Sequence, residues 1–459
     1  MAPEAGTNSP TPRQEAARIL TQVETEKAYA NLLLQKRLAH YPEARDRQFI
    51  TMLVNGVLKH RLTLDFALRQ HLSKPLSSLP HPVRSILRIG AWQLLFMEKV
   101  PPAVAVNETV ELTKSGQHKY AGLVNSVLRQ VDTRGWDLPW PDSKREGVRY
   151  LSVRYSHPEW LVRRWLKRWG FEETEALCRA NNEPAPTWIR TNTLNTSRTE
   201  LEERLAQEGV KTEMGKRVPE SLIIREFGAV EKLKSFQEGL FTVQDESSQL
   251  VAHVLAPAPN MQVLDACSAP GGKTTHLAQL MQNQGLILAF DVHTHKLHLI
   301  EELAERLGVR IIEPHLGDAR ELPGVKPLSQ ERVLVDAPCS GLGVIRRKAD
   351  LRWQKEEQDL LGLPELQLAI LEKAAACVAL GGELLYSTCT VEPEENFEVA
   401  KAFRQAHPEF EPVDLRESLP FTLVDEQDAR QAAKGMLQLL PHRHGMDGFF
   451  LAKFRRTQV

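Results

Sequence analysis

From about residue 241 onward, short apolar runs alternate with stretches of helical periodicity, and this alternation constrains the fold more than any other feature of the chain. Strands are expected at 262–266, 286–290, 310–312, 332–335 and 382–387, with helices at 274–281, 296–307 and 358–380. Strands separated by helices run parallel in one sheet covered on both faces. Ligands of such open sheets bind beyond the carboxyl ends of the strands. The residues just after each strand are therefore where chemistry is expected.

The rest of the chain reads differently. Up to about residue 140 the apolar residues recur at helical spacing, as in Ile19, Leu20, Val23 and Phe49, Leu53, Val57, Leu58. An all-α domain over 1–140 follows, since helices packed on helices bury such stripes without strands. Residues 132–142, with Gly135, Pro139 and Pro141, read as a linker. Residues 147–240 begin with a helix in which Trp160, Trp165 and Trp169 interleave with Arg163, Arg164, Lys167 and Arg168. A strand, a helix and a second strand follow, which suits a small α+β module. The α/β domain then occupies 241–459.

Of the 459 residues, 42% are hydrophobic and 25% charged, the balance of a soluble globular protein. No apolar run is long enough to span a bilayer, and Met1–Gly6 has neither the basic start nor the apolar core of a secretory leader. The five cysteines are odd in number and contain no Cys-x-x-Cys pair, which argues against a disulfide framework or zinc knuckle and for a reducing cytoplasm. No metal site is expected. Lys and Arg outnumber Asp and Glu over residues 1–150, with acids in excess thereafter, so the N-terminal part suits an anionic partner such as nucleic acid.

The first strand of the α/β region leads into Cys267-Ser268-Ala269-Pro270-Gly271-Gly272-Lys273-Thr274. Its glycines permit close backbone approach, and the helix that follows offers its N-terminus. A phosphate-binding P-loop would need Gly where Cys267 stands, so a nucleoside with an amino-acid tail suits the turn better than a polyphosphate. Asp291 ends the second strand, placed to accept hydrogen bonds from ribose hydroxyls. Asp318 follows the third and could meet an adenine amino group; Asp336 follows the fourth. Singly, each is as easily a turn or helix-cap residue.

Two cysteines complete the pattern, Cys339 in Asp336-Ala337-Pro338-Cys339-Ser340-Gly341-Leu342-Gly343 and Cys389 in Tyr386-Ser387-Thr388-Cys389-Thr390. Buried structural thiols are one reading; paired thiolate chemistry on one sheet edge is the other. A zinc deaminase would need Pro-Cys-x-x-Cys, and Leu342 stands at the second cysteine's place. A cysteine protease would need a histidine base, and none lies near either thiol in sequence.

These segments, with 269–274, Phe241–Ser248 and Gly445–Phe450, resemble the RNA cytosine carbon-5 methyltransferases over roughly residues 150–455. The helical N-terminal part resembles the NusB fold. The combination is similar to the bacterial small-subunit (16S) ribosomal RNA methyltransferases of the RsmB/Sun/Fmu type. No motif position departs from that pattern, although Cys267 and Ser268 occupy slots that vary among members. The resemblance implies a Rossmann-like catalytic domain, S-adenosylmethionine as cofactor, ribosomal RNA as partner, no membrane, and a cytoplasmic monomer whose two N-terminal parts bind RNA. Cofactor contacts would come from residues 267–273, Asp291, Asp318 and Asp336.

Carbon 5 of cytosine is too weak a nucleophile to attack a methyl sulfonium, and a thiolate added at carbon 6 converts the ring to a reactive enamine. By resemblance Cys389 is that nucleophile, Asp336 holds the ring at N3, and Cys339 serves product release. Lys273 could contact the cofactor carboxylate or favour a thiolate; a surface helix-terminal residue is its plain alternative. Arg346, Arg347, Lys348 and Arg352 follow the Pro-Cys turn and are expected to contact RNA phosphates. Methylation of transfer RNA or of the large subunit, and a non-catalytic RNA-binding role, are the rival readings. The helical domain argues against the first, and the intact Cys339, Cys389 and Asp336 against the second.

Overall fold

The computed structural model describes residues 10–458, so Met1–Gly6, expected not to be a secretory leader, lie outside the described residues. Among these residues no helix is long and apolar enough to cross a membrane. The chain forms two compact units, one of residues up to Glu183 together with Ile345–Glu356, the other of Pro184–Val344 and Glu357 to the end.

The first unit is helical. Its opening helix, Pro12–Glu26, starts with a reciprocal Thr11–Gln14 capping box and Pro12 in the first turn. It buries Ile19, Leu20 and Val23 against Ile50, Leu53, Val57, Leu87 and Val127 from the helices that follow. The helix His81–Phe96 runs through this core, and its buried Arg88 is held by Asp65 at 2.7 Å and Glu24 at 3.0 Å. Helix Ala121–Arg134 extends into the expected linker, whose remainder packs: Leu138 is buried and Trp140 stacks on Phe66 at 5.3 Å. Helices Gly147–Tyr155 and Glu159–Asn182, read from sequence with the small module, belong to this unit. The Ser156 hydroxyl accepts the Leu62 amide; of the second helix's tryptophans Trp165 is buried, while Trp160 and Trp169 are half-buried.

The second unit begins with a four-stranded antiparallel sheet of β1 (Thr187–Thr191), β2 (Lys211–Met214), β3 (Ser221–Arg225) and β4 (Phe241–Val243), ordered β2-β3-β1-β4. Helix Arg198–Gln207 packs Leu201 and Leu205 on Ile189, Leu222 and Phe241. Eight further strands form the large sheet: β5 (Gln262–Asp265), β6 (Leu286–Asp291), β7 (Ile312–Leu316), β8 (Gln330–Asp336), β9 (Val378–Thr388), β10 (Phe410–Pro412), β11 (Met436–Leu439) and β12 (Phe449–Arg456). Their order is β10-β12-β9-β8-β5-β6-β7, with β11 also on β12. Pairings from β9 to β7 are parallel, and those made by β12 are antiparallel.

Adjacent residues face opposite cores, Val263 and Leu334 on one side, Leu264, Val333 and Val335 on the other. That two-sided burial is why these strands read as continuous apolar runs. The expected helix 358–380 is shorter, Leu363–Ala375, because Pro364 fixes its first turn and β9 starts at Val378. The sheet grows outward from β5 through β6 and β7 in one direction and through β8 and β9 in the other. The switch point thus lies between β5 and β8, where the crevice of an open α/β sheet is found.

Candidate active site

β5 ends at Asp265, and the chain turns through 266–271 into helix Gly272–Leu280. Gly271 has φ +98°, and a Cβ there would sit 3.2 Å from the Ile300 backbone, so the turn needs glycine. Ser268 fastens the turn to β6 through its amide and hydroxyl, each 2.9 Å from the Phe290 carbonyl. Asp265 is fully buried and accepts the Thr274 hydroxyl at 2.7 Å, while its Oδ1 has no hydrogen-bond partner among the described residues. Burial, reinforced by the charge of Asp336, pushes its carboxyl up to about 7 against the pull of Thr274.

Asp291 closes β6 and accepts the His293 amide at 3.0 Å, with Lys296 3.7 Å away. Asp318 is gripped by Arg320 at 2.5 Å, and the Arg320 hydrogen bond holds its carboxyl below the usual range. Burial pushes the Cys267 thiol well up, and the charges of Asp265, Asp336, Asp291 and Asp318 add to the rise. Four carboxyl groups therefore act on one turn, with Asp336 offset by Lys273 and Asp318 by Arg320.

Asp336 ends β8 between two partners: Lys273 Nζ at 2.5 Å from Oδ2, and the Ser387 hydroxyl donating to Oδ1 at 2.8 Å. Lys273 is not a surface residue. Only 16% of its side chain is exposed, its ammonium lies 5.0 Å from the Phe449 ring centroid, and burial works against its charge. Asp336 more than offsets burial, with a further contribution from Cys389, so the ammonium is held above its ordinary value.

Beyond β8 and β9 the two cysteines meet, with Sγ atoms 3.3 Å apart. Their turns are stitched together: the Gly343 amide donates to the Cys389 carbonyl at 3.0 Å, and the Gly448 amide to the Gly343 carbonyl at 2.9 Å. A Cβ at 343 would lie 2.0 Å from the Gly448 oxygen, so this approach requires glycine. Below them the buried Glu395 accepts the Ser340 amide at 2.8 Å, its hydroxyl at 2.5 Å, and the Gln367 side chain at 3.0 Å. The Cys339 thiol is pushed well up, first by its hydrogen bond with Cys389, then by burial, then by the charges of Cys389 and Glu395.

The basic segment divides. Arg352 was expected to contact RNA, and its position contradicts this: it is fully buried, donating to the carbonyls of Ser156 at 2.9 Å and Lys59 at 3.2 Å and to Asn182 at 3.0 Å. Arg346 lies 3.8 Å from Glu183, Arg347 is half-buried and Lys348 is exposed. Lys59, unread from sequence, shares this electropositive patch: burial, with Arg352, Arg346 and Arg347, draws its ammonium down to about 8. Sequence reasoning also missed Asp265, which looked like an ordinary strand residue, and Glu395, which stands in the acidic run 392–396. The signal for both was position, at a strand end and just after the Thr-Cys turn.

Among the described residues one His/acid group has metal-like spacing, Glu220 with His253 and His276. Glu220 accepts Nε2 of both rings, at 2.9 and 2.5 Å.

Comparison with known proteins gives a consistent result. Residues 252–455 match the family described as 16S rRNA methyltransferase RsmB/F, residues 10–133 the NusB family, and residues 157–231 the ferredoxin-like domain of RsmF/B-like methyltransferases. The chain is 40% identical over 448 residues to a probable ribosomal RNA small subunit methyltransferase B of Bacillus subtilis, covering 97% of this chain and 98% of the relative. Among solved structures, PH0851 superposes with a TM-score of 0.79 at 29% identity, covering 98% of this chain and 99% of the other. NSun6 from Pyrococcus horikoshii, solved with the S-adenosylmethionine analogue SFG, gives a TM-score of 0.58 at 25% identity over 66% of this chain and 99% of its own.

Proposed function

Because the chain belongs to the ribosomal RNA small subunit methyltransferase B family, we propose that it methylates carbon 5 of a cytosine in 16S ribosomal RNA through a covalent adduct of Cys389 at carbon 6. The observation that carries this reading is the 3.3 Å thiol pair beside the Asp336–Lys273 ion pair. A binding module has no use for two opposed thiols and a buried ammonium at the switch point of its sheet.

S-adenosylmethionine, when bound, supplies the methyl group as a cationic sulfonium. The residues present fit it, since Asp265 offers an unpartnered buried oxygen. Residues 267–273 would hold the amino-acid tail and Asp291 the ribose. Asp318 would meet the adenine once it exchanges Arg320. The target cytosine enters unstacked from its neighbours, as enzymes acting on a base require.

The thiols then divide the chemistry. Cys389 gives up its proton through Asp336 to N3 of the ring and, as thiolate in the field of Lys273, forms the sulfur–carbon 6 bond, while Asp336 accepts the hydrogen bond from the protonated N3. The ring electrons move to carbon 5, which takes the methyl group. The first of the influences that hold the Cys339 proton is its hydrogen bond with Cys389. Once Cys389 is a thioether, that hydrogen bond and the charge of Cys389 are gone and Cys339 becomes the stronger acid. Its own proton passes to water, its thiolate removes the proton on carbon 5, the carbon 5–carbon 6 double bond reforms, and Cys389 leaves as thiolate and takes back the N3 proton through Asp336. Arg346, Arg347 and Lys348 would contact phosphates, a role supported by the exposure of Lys348. The reading includes a monomer acting in the cytoplasm, where the ribosomal RNA is.

Bisulfite mapping of 16S rRNA tests it in a strain lacking the gene. One cytosine should lose protection, and the intact chain but not Cys389→Ala should restore it. An unchanged cytosine profile in the deletion strain would refute the assignment.

A further inference from the structure

Arg190 lies on β1 of the small sheet and is 1% exposed. Its guanidinium donates to three uncharged acceptors: the Gln244 side-chain oxygen, the Gly272 carbonyl at 2.6 Å and the Thr275 hydroxyl at 3.0 Å. Two of these belong to the first turn of helix Gly272–Leu280, directly after Gly271. A cation at a helix N-terminus opposes the macrodipole, and burial draws this one down to about 9, with only the charge of Glu220 in its favour. Its Nε is buried without a partner among the described residues. A buried cation with an unpartnered Nε is costly to keep for stability alone.

The turn's own hydrogen bonds hold its first half: the Gly271 amide donates to the Ser268 carbonyl and the Gly271 carbonyl accepts the Thr275 amide, each at 2.8 Å. From outside the turn and its helix, the Gly272 carbonyl is held by Arg190, beside the Thr275 hydroxyl at 3.2 Å. The small sheet touches the same helix one turn on, where Glu220, just before β3, accepts from His276. Arg190 and Glu220 thus secure the helix at two successive levels.

We propose that Arg190 is a positioning residue for the cofactor, fixing the Gly271–Lys273 turn in the shape that receives the amino-acid tail of S-adenosylmethionine. The small sheet then serves cofactor binding. This inference rests on the reading of residues 267–273 as the cofactor site.

Calorimetric titration of the full-length protein with S-adenosylhomocysteine tests it, alongside hydrogen exchange of residues 268–276 without ligand. Arg190→Met should bind about ten- to a hundred-fold more weakly, the loss expected for hydrogen bonds from a charged group. It should raise KM for S-adenosylmethionine with kcat at saturation preserved, and exchange should quicken at the turn but not in helix His81–Phe96. Arg190→Lys, which keeps the charge and one contact, should recover part of the affinity. Native affinity in a folded Arg190→Met, or a fall in kcat with KM unchanged, overturns the proposal. If Arg190→Met does not fold, Thr275→Val removes an acceptor of the same clamp, and unchanged affinity there is equally fatal. Failure of the native protein to bind would instead refute the cofactor-site reading, and this proposal with it.

Discussion

Residues 336–344 and 345–356 follow one another in the chain, and both are rich in the side chains that chemistry uses. In the first, polar groups turn toward one another and toward a crevice: Asp336 meets Lys273, Cys339 meets Cys389, and Gly343 lets two turns touch. In the second, the conspicuous charge is structural. Arg352 satisfies backbone carbonyls from three segments of the helical unit, Trp353 donates to the Leu58 carbonyl at 2.8 Å, and Asp350 caps Ala30 at 3.0 Å. The difference lies in partners. Facing ionised side chains leave a reactive surface, whereas a cation facing buried carbonyls leaves a satisfied core.

The comparison breaks most sharply at Gly343. Gly343→Ala should push the cysteine turns apart and cut methyl transfer about a hundred-fold, as a misplacement near 1 Å does. Cooperative unfolding should persist; a full transfer rate would show that the approach of the turns is incidental. Arg352→Ala should act the other way, lowering stability by about 3 kcal/mol as several buried acceptors lose their donor. Denaturant unfolding checks this, and native stability with weakened RNA binding would restore Arg352 to the RNA surface. The smallest effect belongs to the cationic start of the same segment. Replacing Arg346, Arg347 and Lys348 by Ala together should leave cofactor affinity intact and reduce the salt slope of RNA binding by about 0.7 per lost phosphate contact. An unchanged slope in filter binding would remove these residues from the interface.

The same contrast explains what was legible in the sequence. The parallel strands were, because burial on both faces writes itself as continuous apolar runs. The Pro-Cys and Thr-Cys turns were, because each follows such a run directly. Arg352 misled because four cations within seven residues look alike on paper, and only the fold shows one of them among the carbonyls of residues 59, 156 and 181. Glu395 was hidden in the same way within an acidic run, and Arg190 within a five-residue strand. Their partners lie tens of residues away, a separation that local pattern does not encode. The antiparallel strands β10 to β12 escaped for a related reason, since they are short or fixed by pairings on β9 and on one another between residues well apart in the chain.

The central claim is that the two adjacent thiols have different roles, Cys389 making the bond to carbon 6 and Cys339 ending it. The direct measurement is a denaturing gel of each alanine variant incubated with 16S rRNA and S-adenosylmethionine. Cys339→Ala should methylate and then stall, giving a slow, nuclease-sensitive band of protein joined to RNA. Cys389→Ala should give no such band and no methyl transfer. Bands in the opposite variants would reverse the assignment, and full activity in both would contradict the two-thiol mechanism.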